Sequence, residues 1–203
     1  VVAIEADERA ISSLNETFAE EITQGRLTIF HHDARTLNPS EFNLEKHSYI
    51  CVSNIPYYLS GRLFRSLLDT KCQPSILVFL IQKEVAERIA RDKKESLLSL
   101  SVKVFGDPSY VSTVKRGHFS PPPKVDSAII SVSNINQANF KDIAAAGFFN
   151  LIHLGFGQKR KQLIHNLVES KLWSREEVEV ALNTSTLPLT IRAEDIPLNK
   201  WLR

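Results

Sequence analysis

A chain of 203 residues, 43% of them apolar, has the length for one large domain, or one domain with a small appendage, and the material for a full core. Its net charge of +2 is too small to argue for a nucleic-acid partner unless the cations cluster. No apolar run approaches the roughly 18 residues of a membrane span, and the opening Val1-Val2-Ala3-Ile4 turns acidic at once, unlike a secretory leader. Two cysteines, Cys51 and Cys72, make no disulfide framework and read as reduced thiols of a cytoplasmic protein.

Val1 to Ile4 reads as a buried strand ending at Glu5. Its first residues look like mid-strand, so a segment upstream of Val1 is expected. Asp7 suits the N-cap of a helix through Ile11, Leu14, Phe18 and Ile22, stopped at Gln24-Gly25. Leu27 to Phe30 is the next strand, followed by His31-His32-Asp33 and a loop with Asn38-Pro39-Ser40. Tyr49-Ile50-Cys51-Val52 predicts another buried strand. It leads into Asn54-Ile55-Pro56-Tyr57 and a helix over 61–69 with Leu63, Phe64, Leu67 and Leu68 on one face. Ser75 to Ile81 is continuously apolar, as a parallel strand buried on both faces would be. Helices are expected over 83–91 and 96–105. Tyr110 to Arg116 and Asp126 to Val132 alternate enough to pair as antiparallel strands at one edge.

Strand and helix alternate up to about residue 105, the pattern of a doubly wound, Rossmann-like α/β sheet. Past Val132 only helical patterns remain, over 140–154, 158–170, 174–182 and 193–202. The polar stretch Asn134-Ile135-Asn136-Gln137 sets the boundary between an α/β unit over residues 1–134 and a small all-helical unit over residues 135–203.

Three polar groups then end three consecutive strands: Glu5, Asp33 and Asn54. A carboxylate ending an early Rossmann strand can accept from ribose hydroxyls, and ligands bind beyond the carboxyl ends of such strands. Asp33 can accept from an adenine amine. The Asn54 amide oxygen and the Ile55 carbonyl can both accept from an exocyclic N–H, Pro56 biases Ile55 towards an extended backbone, and Tyr57 offers a ring for stacking. Asn-x-Pro is also an ordinary turn and Tyr57 an ordinary core aromatic. No Gly-rich turn follows the first strand, so NAD is disfavoured, and a cofactor loop would have to lie upstream of Val1. His31-His32-Asp33 matches no standard metal spacing. Two basic clusters complete the set. In Lys115-Arg116-Gly117-His118-Phe119-Ser120-Pro121-Pro122-Pro123-Lys124 cations flank an aromatic held by a stiff proline run, the composition of a base-stacking RNA site. Gln158-Lys159-Arg160-Lys161 is read as opening a helix, where cations oppose the helix dipole and a phosphate-facing role would explain them. Both stretches are also compatible with plain solvated surface.

In this order the residues resemble the KsgA-type family of ribosomal RNA adenine dimethyltransferases, over nearly the whole chain. The resemblance rests on Val2-Ala3-Ile4-Glu5-Ala6-Asp7, His32-Asp33-Ala34 and Asn54-Ile55-Pro56-Tyr57. It rests further on Gln82-Lys83-Glu84-Val85-Ala86-Glu87-Arg88, Phe119 to Ala128, Phe156 to Leu163 and Arg192-Ala193-Glu194. It implies a class I methyltransferase fold with a helical C-terminal RNA-binding domain, and S-adenosylmethionine held by Glu5, Ala6, Asp33, Ala34 and Asn54. It implies Asn54, Ile55, Pro56 and Tyr57 as the catalytic tetrapeptide, and RNA contacts from Tyr57, Arg116, Phe119, Pro122, Lys124, Lys159, Arg160 and Lys161. The substrate would be two adjacent adenosines near the 3′ end of small-subunit ribosomal RNA, modified in the cytoplasm by a monomer with no membrane partner. An Erm-like enzyme acting on large-subunit RNA and a non-catalytic small-subunit assembly factor are the alternatives. The family's first strand and Gly-rich loop have no counterpart here.

Overall fold

The apolar runs build two sheets where the sequence pattern implies one. A computed structural model describes all 203 residues. Strand β1 (Val2–Glu5) pairs in parallel with β2 (Thr28–His31), Val2 opposite Thr28 and Glu5 opposite His31. Helices α1 (Glu8–Thr17) and α2 (Ala19–Thr23) connect them. The Asp7 side chain accepts from Arg9 N and caps α1. The single helix expected through Ile22 breaks at Phe18, whose φ/ψ of −113°/28° leaves the helical region. Gly25 follows α2 at φ +70°, a conformation costly for any residue with a β-carbon.

The second sheet comprises β3 (Ile50–Asn54), β4 (Ile76–Gln82), β5 (Asp107–Val114) and β6 (Ser127–Ser133). Their order is β3-β4-β6-β5, with β3 parallel to β4 and β6 antiparallel to both its neighbours. The antiparallel pair read from the sequence is therefore present. The connections are α3 (Ser60–Leu68) between β3 and β4, then α4 (Lys83–Ala90) and α5 (Leu97–Lys103) before β5. Helix α3 buries Leu63, Phe64, Leu67 and Leu68, the face its 3.6-residue period marks out. Ser96 and Ser99 close a capping box on α5.

Strands β1 and β3 do not pair. An apolar groove of about 660 Å³ lies between them, lined by Val1 to Ile4 and Ile50 to Ser53 with Leu37, Leu63 and Leu67. The reading of Tyr49–Val52 as a buried strand is thus corrected: Ile50 is 59% and Val52 72% exposed. Both project from one face of a strand that pairs on one side only, and no layer covers that face.

Four helices follow: α6 (Ala145–Gly155), α7 (Leu163–Glu169), α8 (Arg175–Thr184) and α9 (Leu198–Trp201). Helix α7 begins five residues later than the sequence pattern implies, so Gln158 to Lys161 form the turn before it. The helix expected over 193–202 is a 3₁₀ turn, Ala193–Asp195, and α9, separated at Pro197. One apolar cluster runs from Ile55, α3, β4 and β6 through Phe105 and Ile135 into α6, α7 and Trp201. Phe105 makes the join, its ring centroid 5.3 Å from Phe140 and 6.1 Å from Phe149. No helix is long and apolar enough to cross a membrane.

Candidate active site

The turn after β1 is short enough for Glu5 to hold its own backbone. Glu5 Oε1 accepts from Ala6 N at 2.7 Å and Asp7 N at 2.9 Å, which fixes the carboxylate and leaves Oε2 without a partner in the chain. His32 N donates to the Glu5 carbonyl at 2.9 Å, and His31 Nε2 lies 3.2 Å from the Ala6 carbonyl oxygen. The ends of β1 and β2 are therefore tied together, with Asp33 and Ala34 emerging beside Glu5 and Ala6. His32 packs edge-on against Phe42, ring centroids 5.4 Å apart.

Asp33 caps the 3₁₀ turn Ala34–Thr36. Its Oδ1 accepts from Arg35 N at 2.8 Å and its Oδ2 from Arg35 Nε at 2.7 Å, and Nη2 lies 2.5 Å from Oδ2 in an ion pair. The Arg35 guanidinium, and after it the Arg35 backbone N–H, hold the Asp33 carboxyl down at about 2, so it is ionised at any ordinary pH. Arg35 did not stand out in the sequence; the only signal was a cation two residues after a strand-ending aspartate.

Strand β3 ends at Asn54, and the next four residues are pinned on both sides. Ile55 is buried and donates its N–H to the Leu80 carbonyl at 3.4 Å. Pro56 sits at φ −53°, and Tyr57 opens a 3₁₀ turn whose carbonyl accepts from Ser60 Oγ at 3.0 Å. The half-buried Tyr57 places its hydroxyl 2.8 Å from Oγ of Ser127, which is fully buried at the head of β6. Between these anchors the exposed Asn54 carboxamide and the Ile55 carbonyl accept no hydrogen bond from the chain. Two adjacent acceptors on a fixed turn are therefore unpartnered within the chain, one on the exposed Asn54 and one on the buried Ile55. Ser127 belongs to a string the sequence marks out, but its tie to Tyr57 spans 70 residues and is visible only in the fold.

The Lys115–Lys124 loop is clasped by the residue before Ser127. Asp126 Oδ1 accepts from Arg116 N at 3.0 Å and Oδ2 from Lys115 Nζ at 3.1 Å, while Arg116 Nη1 reaches the Lys124 carbonyl at 3.5 Å. The Arg116 amide first, then the Lys115 ammonium, lower the Asp126 carboxyl below its usual value. Phe119 is half-buried in this loop, and Pro122 and Lys124 are exposed. Tyr57 and the Phe119 loop thus converge on Asp126 and Ser127.

Lys159, Arg160 and Lys161 are exposed and make no salt bridge, whereas Lys94 nearby is paired with Glu194 and Asp195. Lys159 and Lys161 line a cleft of about 510 Å³ with Arg88, Ser96 and Phe156. The reading of this cluster as the opening of a helix is corrected: the cations lie in the turn before α7, whose N-cap is Gln162.

The sequence profile of the ribosomal RNA adenine dimethylase family matches residues 1–203. Ribosomal RNA small subunit methyltransferase A of Dehalococcoides mccartyi is 35% identical over 202 residues, covering 99% of this chain and 68% of that protein. The protein of the same name from Clostridium botulinum is 29% identical over 204 residues, covering 99% of this chain and 73% of its own length. Two crystal structures share the fold over the whole chain and 79% of their own. A dimethyladenosine transferase from Plasmodium falciparum has a TM-score of 0.77 at 24% identity. The 23S rRNA methyltransferase ErmE has a TM-score of 0.70 at 22% identity. The α/β arrangement described above is that of these methyltransferases.

Proposed function

Since the chain belongs to the ribosomal RNA adenine dimethylase family, we propose that it methylates N6 of two adjacent adenosines near the 3′ end of small-subunit (16S) ribosomal RNA. Members of this methyltransferase family and fold use S-adenosylmethionine, which supplies an electrophilic methyl group. The residues present fit that cofactor. The fixed Glu5 carboxylate has an unclaimed oxygen for the ribose hydroxyls, with Ala6 beside it. The ionised Asp33, followed by Ala34, would accept from the adenine amine through Oδ1, which takes only the Arg35 backbone N–H within the chain.

The observation that carries the reading is the pair of unclaimed acceptors, the Asn54 amide oxygen and the Ile55 carbonyl, on a turn anchored at Leu80 and Ser127. A target base extruded into the site donates its two N6 hydrogens to them. That localises the nitrogen lone pair and aims it, so the chain contributes positioning and a preorganised field and needs no nucleophile of its own. Tyr57 and Phe119 stack on the base; Arg116, Pro122, Lys124, Lys159, Arg160 and Lys161 contact the RNA backbone. Residues 1–134 form the catalytic unit and residues 135–203 the RNA-binding unit of one chain acting as a monomer, in the cytoplasm where small subunits mature.

The test is transfer of labelled methyl groups to unmethylated small subunits, with large-subunit RNA in parallel. Asn54→Ala is expected to lower turnover by about a hundredfold or more, as removal of one preorganised polar contact does elsewhere, while RNA affinity stays within about twofold. Near-normal turnover in that variant overturns the assigned role. Label entering large-subunit RNA alone points to the Erm-like specificity, and tight subunit binding without transfer, both by this chain and by one extended upstream of Val1, points to an assembly factor.

A further inference from the structure

The first residue of β6 and the residue before it hold both loops that carry aromatic rings to the base. Ser127 is buried, and its only side-chain hydrogen bond is to the Tyr57 hydroxyl, at 2.8 Å. Asp126 turns the other way. Its carboxylate takes the Arg116 amide and the Lys115 ammonium, and its carbonyl accepts from Lys83 N at 3.0 Å, where α4 starts. The backbone here is fixed by the β6 register, Ser127 lying opposite both Gln82 and Val114. Two loops are therefore referenced to one dipeptide at the start of an inner strand.

We propose that Asp126 and Ser127 are positioning residues that act as one clip: Ser127 sets the plane of the Tyr57 ring, and Asp126 sets the loop that presents Phe119. Neither touches the base. The clip rests on the methyltransferase reading for its consequence but not for its existence. Its physical basis is entropic. A tyrosine ring held at its hydroxyl, and a loop held at its root, have less freedom left to lose when a base arrives. The hydroxyl bond is made to a group with no alternative partner, so its loss leaves the buried Ser127 oxygen or the Tyr57 phenol unsatisfied.

Amide hydrogen exchange over residues 54–60 reads the clip directly, because the Leu59 and Ser60 amides donate to the Pro56 and Tyr57 carbonyls. Ser127→Ala and Tyr57→Phe are each expected to speed that exchange by about three- to tenfold, and the double variant no further, because both remove the same bond. Asp126→Ala should speed exchange over residues 116–124 and leave 54–60 unchanged. In methyl transfer, Ser127→Ala should lower kcat by a similar factor with the KM for S-adenosylmethionine unchanged. Singles with parental exchange, or a double variant whose effect is the product of the two, overturn the clip. If Ser127→Ala does not fold, Tyr57→Phe removes the bond from the solvent-facing side and decides the question alone. If neither this chain nor one extended upstream of Val1 methylates RNA, the functional reading falls, and the exchange data still decide whether the clip exists.

Discussion

Asp33 is met by Arg35 through both side chain and backbone, which together hold its carboxyl down at about 2. The sign of its pH dependence follows. A carboxyl whose folded-state value lies below the ordinary 3.8 contributes stability that is complete above 3.8 and is lost as pH falls towards about 2. In Arg35→Ala the Asp33 midpoint should move up towards 3.8, followed by the carboxyl carbon-13 shift against pH. A midpoint that stays near 2 would show that the backbone N–H alone holds the carboxylate. Glu5, Asp33 and Asn54 were legible in the sequence because each ends an apolar run and precedes a turn. Arg35 and Ser127 were not, since one depends on a side-chain conformation and the other on a contact between residues 70 apart.

Element ends are where the sequence pattern and the fold part company. The apolar period over 158–170 extends α7 in the N-terminal direction, but the backbone turns at Gln158 to Lys161 and the helix begins at Leu163. Periodicity reports which residues are apolar, and a turn rich in polar residues does not interrupt it. The relocated cations matter for binding. With Lys159, Arg160 and Lys161 all neutralised, the slope of log affinity for RNA against log salt should become shallower by about 2, since each phosphate contact to a single strand is worth about 0.7. An unchanged slope would remove this turn from the RNA surface. Gly155, the last residue of α6, makes a second element-scale case. Replacing a helical glycine usually gains up to about 1 kcal/mol, but a β-carbon here would lie 2.5 Å from Trp201 Cη2 and 3.0 Å from Leu163 Cδ1. Gly155→Ala should therefore destabilise the fold by about 1–3 kcal/mol, measured by urea unfolding. An unchanged or higher midpoint would mean that α9 shifts freely.

At the scale of the whole molecule, the α/β elements and the C-terminal helices share one apolar cluster. The change of pattern after Val132 was legible, but the depth of the join was not. Ile135, inside a stretch that reads as a polar linker, is buried, and Phe105 stacks on the far side. Both tryptophans, Trp173 and Trp201, belong to residues 135–203. Unfolding followed by their fluorescence should coincide with unfolding followed by far-ultraviolet circular dichroism, because a shared core melts once. Separated midpoints would show two independently folding units. The sequence also implied one continuous sheet, since apolar runs report strand faces and not which edges meet. What the fold shows is a gap between β1 and β3, and that gap has a colloidal consequence. The free edge of β3, with Ile50 and Val52 standing in water beside it, is a template onto which another extended chain can lay its own backbone. A net charge of +2 gives little repulsion to keep two such edges apart, so a strand laid into this seam, from the same chain or another, would fill the groove and remove that template at once.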